Sequence, residues 1–209
     1  MKTFKLHLIR HGLTQGNLDG VYVGGGLDMP LCEEGRSQLQ QLAGHYSYPA
    51  VGAVFSSPML RALQTAEILY PAAKEKKVLE ELRENVFGEF EGKKVKELLQ
   101  NPDFAKWLDP ESQFVPKGGE SGQDFAARTA RALGSMFTYM MQNNISQAAC
   151  VTHGGVIMSM LSQKAMPQKP AQQWMTDNGC GFTVQTSAAL LMRDDMVEAV
   201  DIVPKGYIV

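Results

Sequence analysis

Short apolar strands alternate with helical segments along most of this 209-residue chain, and that alternation narrows the fold more than any other feature. Residues 4–9 read as a buried strand, and residues 33–46 then carry Leu39, Leu42 and Ala43 at helical spacing. Residues 51–55 form a second strand. Ser57-Pro58 reads as a helix start, with a capping hydroxyl and proline at the first helical position, and that helix should end near Tyr70, before Pro71. Residues 78–82 read as a third, weaker strand. Ser121-Gly122-Gln123-Asp124 fits a capping box, opening a helix with Phe125, Leu133, Met136, Phe137 and Met140 on one side. Residues 148–152 are a strand, followed by His153-Gly154-Gly155 and an apolar helix over about 156–161. Residues 182–185 and 188–192 read as late strands at a hairpin edge. Such alternation predicts an α/β fold, a three-layer α/β/α sandwich with a mostly parallel central sheet. One domain over 1–209 is expected, with a helical insertion at about 93–120 that Pro102, Pro110, Pro116, Gly118 and Gly119 punctuate.

In sheets of this kind ligands bind beyond the carboxyl ends of the strands. Arg10-His11-Gly12 follows the first strand and His153-Gly154-Gly155 a later one, so two distant histidines are expected to face one crevice. Arg10 and Arg61 can supply forked donors to a phosphate-sized anion, and a helix N-terminus beside them favours the same charge. Gly12, Gly154 and Gly155 allow close backbone approach. Neighbouring arginines disfavour the imidazolium, and a neutral imidazole has a lone pair that can attack phosphorus, so His11 is the candidate nucleophile. A leaving alkoxide needs a proton. The stretch EELRENVFGEFEG (residues 80–92) offers Glu80, Glu81, Glu84, Glu89 and Glu91, and spacing alone does not choose among them.

Other classes are disfavoured by composition. The formal net charge is −2, which gives no global basic field for nucleic acid or an anionic membrane. Cys32, Cys150 and Cys180 are widely spaced, with no CxxC and no metal-knuckle pattern. The N-terminus lacks a long apolar run, and no later run approaches membrane-spanning length, so a cytoplasmic protein is expected. Several residues read as structural. His7 and His45 are assigned no role. Arg36, Arg83, Arg128 and Arg131 read as solvated contacts, and Glu89 and Glu91 as solvent-facing or supporting groups. Met136, Met140 and Met141 read as packing, Trp107 and Trp174 as packing in preference to lining a substrate cavity, and residues 74–77 as a solvated loop.

LIRHG (8–12) resembles the signature of the histidine phosphatase superfamily, also called phosphoglycerate-mutase-like. LDMPLCEEG (27–35), SSPMLRALQTAEIL (56–69), ENVFGEFEG (84–92) and VTHGGVI (151–157) resemble four further family segments, in family order, so the resemblance covers nearly the whole chain. It implies His11 as the phosphorylated nucleophile. Arg10, Arg61 and His153, with Gly154, would complete the phosphate pocket, and Glu84 would be the general acid and then the base. Thr14 and Asn17 match pocket-lining positions. The family mechanism needs no metal and no organic cofactor. Leu13 stands where many members have glutamate, Cys32 stands where a helix-capping threonine is common, and Cys180 lies in a segment that in the family returns near the pocket.

The same pocket serves phosphatases and phosphoglycerate mutases. The mutases carry an arginine pair in a long insertion, whereas residues 93–117 here hold Lys93, Lys94, Lys96, Lys106 and Lys117 and no arginine. The mutase Glu-Arg-His-Tyr run is replaced by Glu84-Asn85-Val86-Phe87. Hydrolysis of a small-molecule phosphate ester is therefore expected. FGEFEG and PKGGES (116–121) are similar to α-ribazole-5′-phosphate phosphatases of cobalamin assembly and to broad-specificity relatives. Phe87, Phe90, Phe104 and Trp107 are expected to give the pocket an apolar outer wall. A mutase, a non-catalytic phospholigand-binding protein and a metal-dependent hydrolase are the alternatives. Exposed edge strands or methionines could support a homodimer.

Overall fold

The computed structural model describes residues 2–109 and 112–207, so Pro110 lies outside the described residues. Among those residues seven strands form one sheet in the order β3-β2-β4-β1-β6-β7-β5. They are β1 (Thr3–Arg10), β2 (Ala53–Ser56), β3 (Lys76–Val78), β4 (Gln147–Thr152), β5 (Ala165–Met166), β6 (Gly181–Ser187) and β7 (Val197–Val203). Pairs β1–β4, β2–β4, β2–β3 and β5–β7 are parallel, whereas β6 runs antiparallel to both β1 and β7. The sheet is thus mostly parallel, as its strand–helix alternation requires.

The central strands are apolar on both faces because both faces are covered. Leu6 and Leu8 of β1, Phe55 of β2 and Cys150 of β4 pack under α6 (Gly122–Gln142) and α7 (Gly154–Lys164). Ile9, Val54, Ala149 and Val151 point the other way, onto Ala62 and Ala66 of α3 (Leu60–Leu69). Helix α2 (Glu33–His45) packs against α3 and completes that layer. Helix α6 buries Phe125, Leu133, Met136, Phe137 and Met140, each worth about 1.5–3 kcal/mol relative to exposure. Its cap is Ser121, whose Oγ accepts from Asp124 N at 3.0 Å. No described helix is long and apolar enough to cross a membrane.

The residue 93–120 region holds α4 (Val95–Leu98) and α5 (Pro102–Leu108), closed over a small core of Phe90, Leu98 and Phe104. Asn101 caps α5, accepting from Asp103 N, and Pro102 occupies its first turn, where a missing N–H is harmless.

Five local expectations change. Residues 188–192 form a helix, α8 (Ala188–Asp194), capped by Ser187, not a strand. Ala-Ala-Leu-Leu-Met are strong helix formers, and a short apolar run carries no period that separates the two states. The strand that pairs with β6 is instead β7, whose partner β5 is only two residues long. Helix α3 starts at Leu60 with Met59 at the cap, two residues later than Ser57-Pro58 suggests, because the Ser57 hydroxyl is shared with a histidine described below. The 78–82 strand is β3 ending at Val78, followed by a 3-10 turn over Glu80–Leu82. Lys76 and Lys77 therefore lie on an edge strand and not in a loop, where charged side chains discourage further strand pairing. Of Leu39, Leu42 and Ala43 on α2, only Leu39 is fully buried, and Ala43 is exposed.

Candidate active site

The carboxyl ends of β1, β4 and β2 lie side by side, and they carry Arg10-His11, His153 and Ser57. Because β6 is antiparallel to β1, the segment that leads into it, Thr176 to Cys180, arrives at the same end. There Arg10 N donates to Cys180 O and Gly179 N donates to Arg10 O, both at 2.9 Å.

His11 is 6% exposed. Its Nδ1 lies 2.6 Å from Gly12 O. A carbonyl only accepts, so Nδ1 carries the proton and Nε2 keeps a free lone pair in the neutral ring. Burial, then Arg61 and Arg10, hold the His11 pKa well below its ordinary value, against the smaller opposing effect of the Gly12 carbonyl. The neutral form of His11 is therefore favoured, with a free lone pair on Nε2. Its ring centroid is 5.2 Å from that of His153.

His153 is fully buried, and its Nε2 lies 2.8 Å from Ser57 Oγ. Burial, then His11 and the arginines, depress its pKa as well. Arg10 Nη1 donates to Thr176 O at 2.8 Å, and Arg61 donates Nη1 to Leu27 O at 3.1 Å and Nη2 to Gly24 O at 3.2 Å. Those bonds fix both guanidinium planes. Arg10 Nε, Arg61 Nε and His153 Nδ1 are buried without a hydrogen-bond partner in the protein. Orphaned buried polar atoms are costly and rare. A tetrahedral oxyanion beside His11 would supply acceptors for them.

Glu84 is 7% exposed and stands at the start of α7. Its Oε1 accepts from Asn85 N at 2.9 Å and its Oε2 from Gly155 N at 3.1 Å. Burial raises its pKa, while those two N–H groups, Arg61 and Arg10 pull the other way. Burial dominates, so the net shift is upward and favours the protonated form. Of the five glutamates in residues 80–92 this is the one turned into the crevice. Glu91 instead accepts from Phe87 N and Gly26 N and braces the loop, and Glu89 accepts from Lys117 N.

Gly154 packs against Arg10, whose Nε would be 3.5 Å from a Cβ there. Thr14 and Asn17 are paired with each other. Thr14 N and Oγ1 both donate to Asn17 Oδ1 at 3.0 Å, capping α1 (Gln15–Leu18) and leaving Asn17 Nδ2 to donate elsewhere. Sequence reasoning missed several supports. Ser57 holds His153. Thr65 Oγ1 accepts from Gly12 N at 2.9 Å and donates to Arg61 O at 2.7 Å. Asn178 Nδ2 donates to His11 O at 2.7 Å. Arg128, read as a solvated contact, is instead tied to Glu120 and to the Glu84 segment. Most of these bonds run to backbone atoms, which leave no trace in side-chain patterning.

A cavity of about 530 Å³ is lined by Asn85, the neighbour of Glu84, by Trp107, Asp109, Phe114 and Val115, and by the start of α6. Asn85 is 6% exposed and its Oδ1 has no partner. Among the described residues no lysine or arginine lines this cavity. Of the four aromatics expected on its wall, only Trp107 is there. Phe90 and Phe104 are core, and Phe87 stacks on Tyr22. Trp107 thus lines a cavity rather than only packing. Among the described residues no group of three or more His, Cys, Asp or Glu side chains is placed to hold a metal ion.

The family model described as histidine phosphatase superfamily (branch 1) matches residues 6–188. The adenosylcobalamin/alpha-ribazole phosphatase of Escherichia coli (strain K12) is 29% identical over 180 residues, spanning 84% of this chain and 87% of that protein. The structure of a candidate alpha-ribazole-5′-P phosphatase from Escherichia coli superposes with a TM-score of 0.78 at 25% identity, covering 94% of each chain. A phosphoglycerate mutase from Bacillus anthracis superposes with a TM-score of 0.73 at 20% identity, covering 96% of this chain and 92% of that one; this bears on the fold alone.

Proposed function

The chain belongs to the histidine phosphatase superfamily, branch 1, and hydrolyses phosphate esters; on that premise we propose that it works through a phosphohistidine at His11 on monoesters with an uncharged leaving group. The observation that carries the mechanism is the buried His11 ring, whose Nδ1 contact with Gly12 O implies a tautomer that leaves the Nε2 lone pair free.

His11 Nε2 attacks phosphorus while Arg10, Arg61 and His153 spread the charge of the transferring group. The bond to the ester oxygen breaks, and Glu84 gives that oxygen its proton, so the alcohol leaves neutral. Glu84 is then a carboxylate. It takes a proton from water, whose oxygen attacks the phosphohistidine. The phosphorus–nitrogen bond breaks with its electron pair returning to Nε2, which restores neutral His11, protonated Glu84 and inorganic phosphate.

The cavity lined by Asn85 supports the leaving-group reading. It offers an aromatic wall, the Asn85 amide and the Asp109 carboxylate, and among the described residues no cation. A second phosphate or a carboxylate would find no counter-charge there, which disfavours a mutase. Retention of Arg10, His11, Arg61, Glu84 and His153 disfavours a mere binding protein. α-Ribazole-5′-phosphate, named for the similar Escherichia coli proteins, fits a neutral nucleoside-like group. A cytoplasmic location accords with three unpaired cysteines.

The test is phosphate release from p-nitrophenyl phosphate with chelator present, for wild type and His11→Ala. Chelator-resistant activity lost in the variant is expected, with an acid-labile phosphoenzyme on quenching wild type. Activity unchanged in His11→Ala refutes the nucleophile. No turnover of α-ribazole-5′-phosphate by active enzyme refutes that substrate and leaves the class intact.

A further inference from the structure

Glu84 sits in a segment that is neither helix nor strand, so its position needs another explanation. The backbone carbonyls of such a segment have no ladder to join and must find partners elsewhere. From Glu81 to Val86 every one does. Leu82 O accepts from Thr152 Oγ1 at 2.9 Å, Asn85 O from Gly25 N at 2.8 Å and Val86 O from Glu120 N at 2.8 Å. The other three all go to one side chain. Arg128 Nη1 donates to Glu81 O at 2.8 Å and to Arg83 O at 2.7 Å, and its Nη2 donates to Glu84 O at 3.2 Å.

The remaining donors of Arg128 are also committed. Nε and Nη2 reach the two carboxylate oxygens of Glu120 at 2.6 and 2.7 Å, a fork-to-fork pair whose side chains are only 14% and 18% exposed. All five guanidinium N–H groups are thereby used. The guanidinium also lies over the Phe125 ring, 4.8 Å from its centroid. Arg128 rises from α6, the longest helix, and Glu120 directly precedes that helix's cap, so both ends of the clamp are anchored in one rigid element.

We propose that Arg128, oriented by Glu120, is a positioning residue for the Glu84 carboxyl, clamping the Glu81, Arg83 and Glu84 carbonyls so that the acid meets the leaving oxygen. The inference rests on the reading of Glu84 as general acid. Lysine cannot replace this arginine, because one ammonium cannot span three carbonyls and both oxygens of a carboxylate. A carboxyl displaced by about 1 Å loses most of its proton-transfer geometry, and such displacements cost about 10²-fold in rate.

The experiment compares kcat/KM for p-nitrophenyl phosphate and p-nitrobenzyl phosphate in wild type, Glu84→Gln, Arg128→Lys and Glu120→Gln. The two substrates are close in size, but p-nitrophenolate departs without a proton and the benzylic alkoxide does not. For Arg128→Lys the expected result is a loss of about 10²-fold on the benzyl ester with a much smaller loss on the phenyl ester. Glu120→Gln, which keeps the shape of the pair, should show the same selectivity more weakly, and it carries the test if Arg128→Lys does not fold. Merely structural damage would lower both substrates together. If Glu84→Gln is selective and the clamp variants are uniform or unaffected, the positioning role is overturned and the acid stands. If Glu84→Gln is itself unselective, the acid assignment fails and the clamp proposal with it.

Discussion

Gly155→Ala is a one-methyl probe of the acid's seat. Gly155 lies in the first turn of α7 and donates its N–H to Glu84 Oε2 at 3.1 Å. A Cβ at this position would stand 2.4 Å from Oε1, 3.0 Å from Cδ and 3.1 Å from Oε2 of Glu84, where ordinary contact begins at 3.4 Å. The carboxyl must therefore retreat by about 1 Å, a displacement of the size that costs about 10²-fold in rate. Stability should move far less. Alanine in place of glycine gains about 1 kcal/mol of helix propensity, which offsets part of an overpacking cost of about 1–3 kcal/mol. Gly154→Ala brings its Cβ to an ordinary 3.5 Å from Arg10 Nε, so its loss should be at least several-fold smaller. Gly134→Ala, in α6 with nothing within 4 Å, isolates the propensity gain. The assay is kcat/KM on p-nitrobenzyl phosphate beside thermal melting. Wild-type kcat/KM in Gly155→Ala would refute the placement of the acid, because no position of that methyl leaves the carboxyl where it stands.

Three further outcomes are expected. Glu84 must be protonated and its pKa is raised, while His11 must be neutral and its pKa is lowered; kcat/KM on the benzyl ester should therefore peak on the acid side of neutrality, with an alkaline limb that disappears in Glu84→Gln, and a limb that persists there points to another acid. His7, His11 and His153 are buried with folded pKa values below 6.5, so their contribution to stability is present above 6.5 and is lost as pH falls through the folded values; urea midpoints should fall on acidification, less steeply in His7→Gln, and an identical slope would show that His7 takes up no proton. Cys32 caps α2 through a thiol 3.3 Å from Gly35 N, and Cys32→Thr should raise stability by about 0.5–1 kcal/mol, read as a higher urea midpoint, whereas an unchanged or lower midpoint would show that the thiol already suffices.

The main outline was legible because its signals are local. Strand β1 runs into Arg10-His11 and β4 into His153, and the parallel rule alone puts both at one end of the sheet. Helix α6 was legible for the same reason, since Phe125 to Met140 recur at helical spacing under a serine cap. The failures fall where local signals compete or vanish. Ala188 to Met192 carries no period, and the Ser57 hydroxyl that suggests a helix cap turns out to hold a histidine 96 residues away. Thr176 and Asn178 reach the pocket only because β6 enters the sheet antiparallel, a fact of topology that no window of sequence contains.

Arg128 is the sharpest case, and it shows what kind of reasoning could have found it. On α6 it occupies the polar side of an amphipathic helix, where an arginine is ordinarily solvated and of little energetic consequence. Nothing in its own neighbourhood says otherwise. The signal lies instead in the segment it serves. Residues 81 to 86 carry the carboxyl proposed as the acid, yet beyond the single turn at Glu80–Leu82 they join neither helix nor strand, so the carbonyls that are buried among them require donors from outside. A planar group with five donors meets that requirement with the fewest side chains. A catalytic carboxylate on irregular backbone thus implies a donor-rich partner on a nearby rigid element. Of the four arginines read as solvated, Arg36 and Arg131 are exposed and Arg83 belongs to the segment itself, which leaves Arg128.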